Sequence, residues 1–309
     1  MIEIRNLVKR YGSLIALDHL NLTIQEGEVF GLLGPNGSGK TTAINCMLAH
    51  LKYDKGEITI MGKPMRPDSY EVKKNIGVVM QNVAVFEQMT VRENIDYFCG
   101  LYKRDKVERK RLVEEAIEFV ELGNYTKMRP GKLSGGLLRR LNIACGIVHR
   151  PRLIILDEPT VAVDPQSRNK ILEGILELNR QGSTVIYTSH YMEEVEYICS
   201  RIAIIDHGRV LASGTKEELK NMIKTGETIT IEAIVLDQVH LREIRSLPHV
   251  FDVSYEEQIL QIRCGKAKHN LVRVLNYLQG KDIVFGKVFS ELPTLNDVFL
   301  EITGKALRD

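Results

Sequence analysis

The sequence predicts an α/β protein built around a parallel sheet. Short apolar runs without alternation, at 29–33, 76–80, 153–156 and 184–187, are typical of strands that are buried on both faces. Segments with helical periodicity lie between them, at 41–51, 166–180 and 191–199. Because strands and helices alternate along the chain, the pattern is compatible with a P-loop architecture before any motif is considered.

The remaining elements divide the chain further. Alternating apolar residues predict early strands at 2–8 and 20–24, whereas 86–148 carries helical patterns and no convincing strand. Within that stretch, Thr90 and Glu93 have the spacing of a capping box. An apolar stripe on a following helix is formed by Val113, Ala116, Ile117 and Val120. We therefore expect a helical insert in the α/β core.

A different pattern follows a short helix that ends near residues 225–226. It reads as a strand at 228–235, a helix at 241–247, strands at 250–255 and 259–264, a helix at 270–278 and a strand at 283–289. This β-α-β-β-α-β order predicts a small ferredoxin-like α+β domain, closed by a helix at 294–303. The predicted domains are 1–225, with a helical subdomain at about 86–148, and 226–309.

Composition excludes several classes of protein. The 309 residues carry 42 Lys and Arg against 40 Asp and Glu, so no global field attracts nucleic acid, and we expect no such partner. The longest stretch without these charges has 12 residues, too short to span a bilayer. The first residues lack the apolar core of a signal peptide, which predicts a cytoplasmic protein. The five widely spaced cysteines fit neither zinc binding nor a disulfide framework, and we expect reduced core thiols.

The segment from Gly34 to Thr41 matches G-x-x-x-x-G-K-[ST] between a predicted strand and a predicted helix. In such a loop, consecutive backbone N–H groups and the helix N-terminus surround a phosphate. Lys40 would reach the β- and γ-oxygens, and the Thr41 hydroxyl would bind Mg²⁺. A merely flexible glycine-rich turn is the alternative, and the strand and helix around the motif disfavour it.

Asp157 and Glu158 supply the second half of the predicted site. Asp157 ends a buried strand, where a carboxylate can hold Mg²⁺ through water. Glu158 is the next residue, placed to polarise an attacking water as a general base or a water-positioning group. A polar strand end before a turn at Pro159 would explain this pair alone, but not together with the phosphate loop upstream.

The tetrapeptide 133–136, Leu-Ser-Gly-Gly, lies between the phosphate loop and the carboxylate pair and precedes a predicted helix at 137–148. This arrangement resembles the signature motif of ATP-binding cassette (ABC) ATPases, and the resemblance covers about residues 2–220. It implies a P-loop NTPase core with a helical subdomain, ATPase activity, and ATP and Mg²⁺ as cofactors.

The resemblance also implies roles for single residues. Tyr11 would stack on adenine, although an ordinary half-buried tyrosine remains an alternative. Gln81 would touch Mg²⁺ and water and link to the membrane partner, and His190 would sense the γ-phosphate. The candidate catalytic residues are Glu158, His190 and Gln81; the metal candidates are Thr41, Gln81 and Asp157; the ATP-binding candidates are Tyr11, Gly34, Pro35, Asn36, Gly37, Ser38, Gly39, Lys40, Thr41 and Thr42.

A second anion site is expected at Ser134, Gly135 and Gly136, called here the signature residues, because they begin a helix. The resemblance implies that a second copy supplies them in trans, in a head-to-tail dimer that closes on two ATP molecules, with Asp164 in the loop that crosses to the other subunit. Two departures weaken the expectation of strong basal hydrolysis and leave room for a heterodimer. Leu137 stands where the family usually has Gln, and residues 161–163 are Val-Ala-Val where a small polar residue, Gly and Leu are usual.

A single cassette without a membrane segment must act on a partner. The tail at 295–301 and the small C-terminal domain resemble cassette subunits of bacterial exporters of drugs, lipids or polysaccharides, whose permease is a separate chain; an ordinary terminal amphipathic helix is the alternative. We therefore expect an ATPase subunit, a homodimer or heterodimer, that drives an integral membrane permease in export and lies at the inner face of the membrane. A soluble ABC ATPase with a non-membrane partner and a weakly hydrolysing nucleotide sensor remain the alternatives.

Overall fold

The computed structural model describes residues 1–304, which form two compact units. The first ends at Lys216 and the second begins at Glu217. This boundary lies at the start of a helix, whereas the sequence pattern predicts that helix at the end of the first domain. The predicted C-terminal domain extends to residue 309, and its residues 305–309 lie outside the described residues.

Within residues 1–215, the first unit contains ten strands and seven α-helices. The strands are β1 (Ile2–Tyr11), β2 (Leu14–Ile24), β3 (Val29–Leu33), β4 (Lys55–Ile60), β5 (Lys63–Pro64), β6 (Ile76–Val79), β7 (Leu153–Asp157), β8 (Thr184–Ser189), β9 (Arg201–Asp206) and β10 (Arg209–Gly214). The helices are α1 (Lys40–Met47), α2 (Tyr70–Lys73), α3 (Val91–Gly100), α4 (Lys106–Phe119), α5 (Gly135–Ile147), α6 (Pro165–Arg180) and α7 (Met192–Ile198).

The four apolar runs form the predicted parallel sheet, and the α/β fold class is confirmed. The sheet has the order β10-β9-β3-β8-β7-β6, with only β10 antiparallel to its neighbour. An antiparallel sheet of order β2-β1-β4-β5 shares an apolar core with it. Strands β4, β5, β9 and β10 were not predicted. Along β10, exposed and half-buried residues alternate, as expected of an edge strand with little apolar signal.

The helical insert consists of α3, α4 and α5 around a separate apolar core. The structure forms the predicted capping box, because the Thr90 side chain accepts from the Glu93 backbone and the Glu93 carboxylate accepts from the Thr90 backbone. The core includes the predicted stripe on α4, where Val113, Ala116 and Ile117 are buried. The chain therefore leaves the central sheet after β6 and returns to it at β7.

The second unit has the predicted β-α-β-β-α-β order. Its elements are α8 (Lys216–Met222), which starts at the boundary, β11 (Thr225–Ala233), α9 (Gln238–Arg245), β12 (Val250–Glu256), β13 (Ile259–Gly265), α10 (Asn270–Gly280), β14 (Phe285–Glu291) and α11 (Leu295–Thr303). The sheet is antiparallel with the order β12-β13-β11-β14. Apolar residues of α9 and α10 pack against it, as expected of a ferredoxin-like fold.

Two sequence expectations concern the whole described chain. All five cysteines are buried and free, which agrees with their interpretation as core thiols. Across residues 1–304, we find no helix with the length and apolar character needed to cross a membrane.

Candidate active site

The phosphate loop (residues 34–41) follows the carboxyl end of β3 and runs directly into α1. Gly39 is the residue before α1 and has φ 110°, in the left-handed region. A Cβ there would lie 2.8 Å from the Ala16 carbonyl oxygen, so both backbone conformation and space require glycine. The Ser38 hydroxyl is buried in the loop and has no hydrogen-bond partner within residues 1–304. The loop thus presents a helix N-terminus and an unpartnered hydroxyl, features that suit a bound phosphate.

Lys40 is almost fully buried beneath this loop. Its ammonium donates to the carbonyl oxygens of Gly34 at 2.7 Å and Pro35 at 3.2 Å. The Glu158 carboxylate lies 3.6 Å away. Burial lowers the pKa of Lys40, and the charge of Glu158 opposes that shift. These carbonyl oxygens therefore satisfy the buried cation in this structure.

Asp157 lies at the end of β7 and is held by two hydroxyl groups. Thr41 donates to one carboxylate oxygen at 3.0 Å, and Thr188 donates to the other at 2.7 Å. Asp157 pairs with Thr188 in the parallel register of β7 and β8. The metal candidates Thr41 and Asp157 are therefore in direct contact, one at the start of α1 and the other at the edge of the sheet.

Glu158 is the point where the predicted catalytic side chains meet. Gln81 donates to one of its carboxylate oxygens at 3.1 Å, while His190 Nδ1 lies 3.6 Å from the other, the same oxygen that faces Lys40. The backbone N–H of Glu158 donates to the Thr188 hydroxyl at 2.9 Å. Glu158 has φ 48°, a strained conformation for a residue with a Cβ, which turns the chain sharply after β7. A carboxylate surrounded in this way can orient a water or accept its proton.

The phosphate loop, Gln81 and Glu158 border a cavity of about 340 Å³, whereas Asp157 and His190 do not line it. Predicted residues that line it are Tyr11, Asn36, Gly37, Gly39, Lys40, Thr41, Thr42, Gln81 and Glu158. Tyr11 lies at the rim of the cavity and is half exposed. The Lys9 ammonium lies 5.0 Å from the centroid of its ring, a cation–π contact that still leaves the ring accessible. Leu14, Ile15, Ala16, His207 and Gly208 also line the cavity and were not predicted. A hydrogen bond from the Gly208 N–H to the Ser38 carbonyl oxygen, at 2.9 Å, holds Gly208 against the phosphate loop.

The signature residues lie elsewhere, beside Asp164. Ser134 caps α5 by accepting from the Leu137 backbone at 3.3 Å, and Asp164 caps α6 by accepting from the Ser167 backbone at 2.9 Å. That bond lowers the pKa of Asp164, so the carboxylate stays ionised. A Cβ on Gly136 would lie 2.5 Å from the Ser167 hydroxyl. Within the described chain, none of these residues lines the cavity at the phosphate loop.

The two departures from the family pattern have local structural consequences. Leu137 packs its side chain against the core of the helical insert, and its backbone still completes the Ser134 cap. Ala162 has φ 59°, in the left-handed region that favours glycine. This conformation explains why glycine is usual at this position in the family. Because alanine occupies it here, the loop before Asp164 is strained.

Sequence reasoning missed two residues that hold the site together. Thr188 contacts both Asp157 and Glu158, as described above. Arg139, a buried residue of α5, donates to the carbonyl oxygens of Met80 at 3.1 Å and Gln81 at 2.7 Å. It fixes the chain at Gln81 from the helix that begins with the signature residues. Neither residue belongs to a recognisable motif, and only the strand register and the helix packing reveal them.

Comparison with known proteins agrees with this geometry. The model of the ABC transporter family matches residues 17–161. The linearmycin resistance ATP-binding protein LnrL of Bacillus subtilis is 39% identical over 100% of both chains. The chain belongs to the ABC transporter family. The Nod factor export ATP-binding protein I of Rhizobium sp. (strain N33) is 35% identical over 99% of this chain and 98% of its own.

Solved structures extend the agreement to the activity of this ABC ATPase. A dimeric ATP-binding cassette in a post-hydrolysis state, bound to ADP and Pi, is 29% identical with a TM-score of 0.64, over 70% of this chain and 98% of that one. The chain is the ATP-binding and ATP-hydrolysing component of an ABC transporter. These relatives give no support to the alternative of a soluble ABC ATPase with a non-membrane partner.

Proposed function

We propose that this ABC ATPase hydrolyses ATP with Glu158 as the residue that orients or deprotonates the attacking water. The observation that carries the assignment is the convergence of Lys40, Gln81 and His190 on the Glu158 carboxylate. Lys40 binds the phosphates, and His190 stabilises the γ-phosphate from the end of β8. Tyr11 stacks on the adenine at the rim of the cavity.

The residues beside Glu158 suit Mg²⁺. The Thr41 hydroxyl and the Asp157 carboxylate lie 3.0 Å apart and are the hard oxygen donors that Mg²⁺ prefers. Gln81 uses its amide nitrogen toward Glu158, which leaves its amide oxygen for the ion. Thr41, Asp157 and Gln81 would hold the ion, which when bound supplies positive charge beside the terminal phosphates. Thr188 keeps Asp157 oriented toward Thr41.

The signature residues complete the site from a second copy in a head-to-tail dimer. Ser134 and the N–H groups of Gly135 and Gly136 form a second anion site at the start of α5, yet they do not line their own chain's cavity. The contact of Gly136 with the segment at Asp164 supports a joint role of both at the dimer contact. Binding of two ATP molecules closes the dimer, and hydrolysis reopens it.

The motion drives a separate membrane permease, most simply in export. Support comes from the relatives named for linearmycin resistance and Nod factor export, which this chain matches over its full length. The permease holds the chain at the inner face of the membrane and determines what is transported. Both a homodimer and a heterodimer of cassettes fit this arrangement.

The residue roles are tested by turnover. Glu158→Gln should lower phosphate release by about 10²–10⁴-fold while ATP binding persists and the closed dimer accumulates. Glu193→Gln is the matched control, because it makes the same charge change on an exposed residue of α7 and should leave turnover unchanged. Lys40→Ala should lose ATP binding itself. Equal turnover of wild type and Glu158→Gln would contradict the mechanism, and normal ATP affinity of Lys40→Ala would contradict the phosphate loop.

The head-to-tail dimer is tested by complementation between two inactive chains. Lys40→Ala lacks the phosphate contact, whereas Ser134→Arg blocks the exposed signature surface. A mixed dimer contains one site with an intact Lys40 facing an intact Ser134 from the other chain. The mixture should therefore regain turnover that neither variant has alone. A mixture as inactive as its components would rule out signature residues supplied in trans in a homodimer.

The partner is tested by purifying Glu158→Gln with Mg-ATP from gently solubilised native cells. Because this variant should retain the closed dimer, its partner should stay bound. A polytopic membrane protein in the purified complex would support the permease. Ribosomes or DNA repair proteins without any permease would overturn it.

A further inference from the structure

Behind the catalytic carboxylates lies a second buried carboxylate that the mechanism does not use. Glu194 in α7 is 4% exposed. One of its oxygens accepts from three hydroxyl groups, those of Tyr187 at 2.6 Å, Thr160 at 2.9 Å and Ser189 at 2.9 Å. Burial of a charge is costly unless it is compensated, and three donors on one oxygen provide that compensation.

The donors come from segments that carry functional residues. Thr160 follows Glu158 by two positions, and Ser189 directly precedes His190. The Ser189 hydroxyl also accepts from the backbone N–H of Tyr191 at 2.9 Å, so it spans the turn at His190. Glu194 therefore connects the loop after β7 with the loop after β8.

The other oxygen of Glu194 faces a third segment. It lies 3.3 Å from the Nε of Arg168, which is four positions after Asp164 in α6. The two atoms form an ion pair, but within residues 1–304 neither of them makes an aligned hydrogen bond. The Arg168 guanidinium also lies 4.8 Å from the ring centroid of Tyr191, and that ring is 4.1 Å from the ring of His190. A small rotation of the first turn of α6 would thus change the contacts of Glu194 and His190 together.

We propose that Glu194 is a positioning residue that couples the spacing of Glu158 and His190 to the position of α6 at Asp164. It acts through Thr160, Ser189 and Arg168 and does not line the cavity at the phosphate loop. This inference rests on the proposed roles of Glu158 and His190. Its consequence is that a displacement of Asp164 at the dimer contact reaches the catalytic groups through a buried ion pair.

Tyr187 keeps this arrangement in one protonation state. Burial, with the nearby charge of Glu194, raises the pKa of the Tyr187 phenol well above its usual range. The phenol therefore stays protonated near neutral pH and donates its hydroxyl to Glu194. Arg168, which is partly exposed and holds Glu194 without an aligned hydrogen bond within the described residues, is the least constrained of its partners.

The test compares turnover and nucleotide affinity in four chains. Glu194→Gln preserves shape but removes the charge, and we expect kcat to fall about tenfold with KM for ATP within about twofold of wild type, because no nucleotide contact changes. Arg168→Ala should lower kcat by a similar factor, and its partly exposed side chain makes loss of folding a small concern. The double variant should be no slower than the slower single variant, because both changes break one ion pair.

Asn270→Ala is the control for a purely structural effect. Asn270 is buried in the second unit, where its amide donates to the Gly265 carbonyl oxygen at 3.0 Å. This variant should lower the melting temperature and leave kcat unchanged. Additive losses in the double variant, or a Glu194→Gln kcat within twofold of wild type, would overturn the inference. If Glu158→Gln turns over like wild type in the same assay, the proposed function itself fails.

Discussion

Replacement of Thr188 by valine tests directly how Asp157 and Glu158 are held in place. Thr188 is fully buried, and valine has nearly its shape, so the change removes one hydroxyl and creates no sizeable cavity. The lost bond to Asp157, at 2.7 Å, involves a charged group and contributes about 1.5–3 kcal/mol. The bond from the Glu158 N–H, at 2.9 Å, contributes about 0.5–1.5 kcal/mol.

The two contributions sum to about 2–4.5 kcal/mol of unfolding free energy. We expect the lower half of that range. The Glu158 N–H also donates to the Thr188 carbonyl oxygen at 3.2 Å, so the substitution does not leave this N–H without a hydrogen bond. A unit of this size shifts its melting temperature by about 2–4 °C per kcal/mol, so a loss of about 2–3 kcal/mol should lower the melting temperature in calorimetry by roughly 4–12 °C. Turnover should fall at least about tenfold, because Asp157 keeps only Thr41 as a hydroxyl partner.

Thr184→Val is the matched control on the same strand. Thr184 is equally buried, and its hydroxyl accepts one neutral bond from the Gly27 N–H at 2.8 Å, at the end of β8 away from the site. The unfolding free energy of Thr184→Val should be about 1 kcal/mol lower than that of wild type, and its rate of phosphate release should be unchanged. If Thr188→Val matches Thr184→Val in both melting temperature and turnover, the Thr188 hydroxyl does not support Asp157 and the reasoning is refuted.

Three further predictions follow from backbone strain, a buried imidazole and a buried guanidinium. Ala162→Gly should raise the unfolding free energy by about 0.5–1 kcal/mol in urea titrations, because glycine adopts φ 59° without strain; an unchanged midpoint would show that the loop relaxes. Burial lowers the pKa of His149 to about 4 in the folded protein. The contribution of the neutral imidazole to the unfolding free energy is therefore fully present above its unfolded pKa near 6.5 and is lost as the pH falls toward 4. His149→Phe should remove about 2 kcal/mol of the difference between pH 7 and pH 5, and an identical pH dependence in both proteins would contradict this. Arg139→Met leaves the carbonyl oxygens of Met80 and Gln81 without their donors, so kcat should fall while ATP affinity is kept; unchanged kcat would contradict the role of Arg139 at Gln81.

The sequence predicts most of the fold because its strongest signals are local. Unbroken apolar runs identify the strands that are buried on both faces, and the β-α-β-β-α-β order of the second unit follows from short alternating segments. Strand β4 was missed because Lys55 and Glu57 occupy its exposed positions, and β10 was missed because its apolar residues, at 210–212, neither alternate with polar residues nor form a buried run. Strand β4 pairs with β1, far earlier in the chain, and no local pattern contains that information, whereas β10 pairs with β9 across the turn at His207 and Gly208.

The residues of the candidate site also differ in whether local sequence reveals them. Residues whose chemistry is contiguous, such as the phosphate loop and the Asp157–Glu158 pair, can be recognised from spacing and flanking elements. The residues that hold them in place come from far along the chain, because Arg139 lies 58 residues from Gln81 and Thr188 lies 31 residues from Asp157. An arginine in a helix and a threonine in a strand are ordinary at the sequence level, so neither residue signals its role.

The register of β7 and β8 is what converts Thr188 from an ordinary strand residue into part of the site. Asp157 and Thr188 are paired in that parallel register, and the three preceding pairs, beginning with Leu156 and Tyr187, are apolar or aromatic side chains in the core. A slip by one residue would turn the Thr188 hydroxyl to the opposite face of the sheet and bury Tyr187 on the wrong side. The same apolar packing that stabilises the sheet therefore also aligns a hydroxyl with the carboxylate proposed to hold Mg²⁺. For this reason core substitutions at Leu156 or Tyr187 should affect turnover as well as stability, although neither side chain reaches the nucleotide cavity.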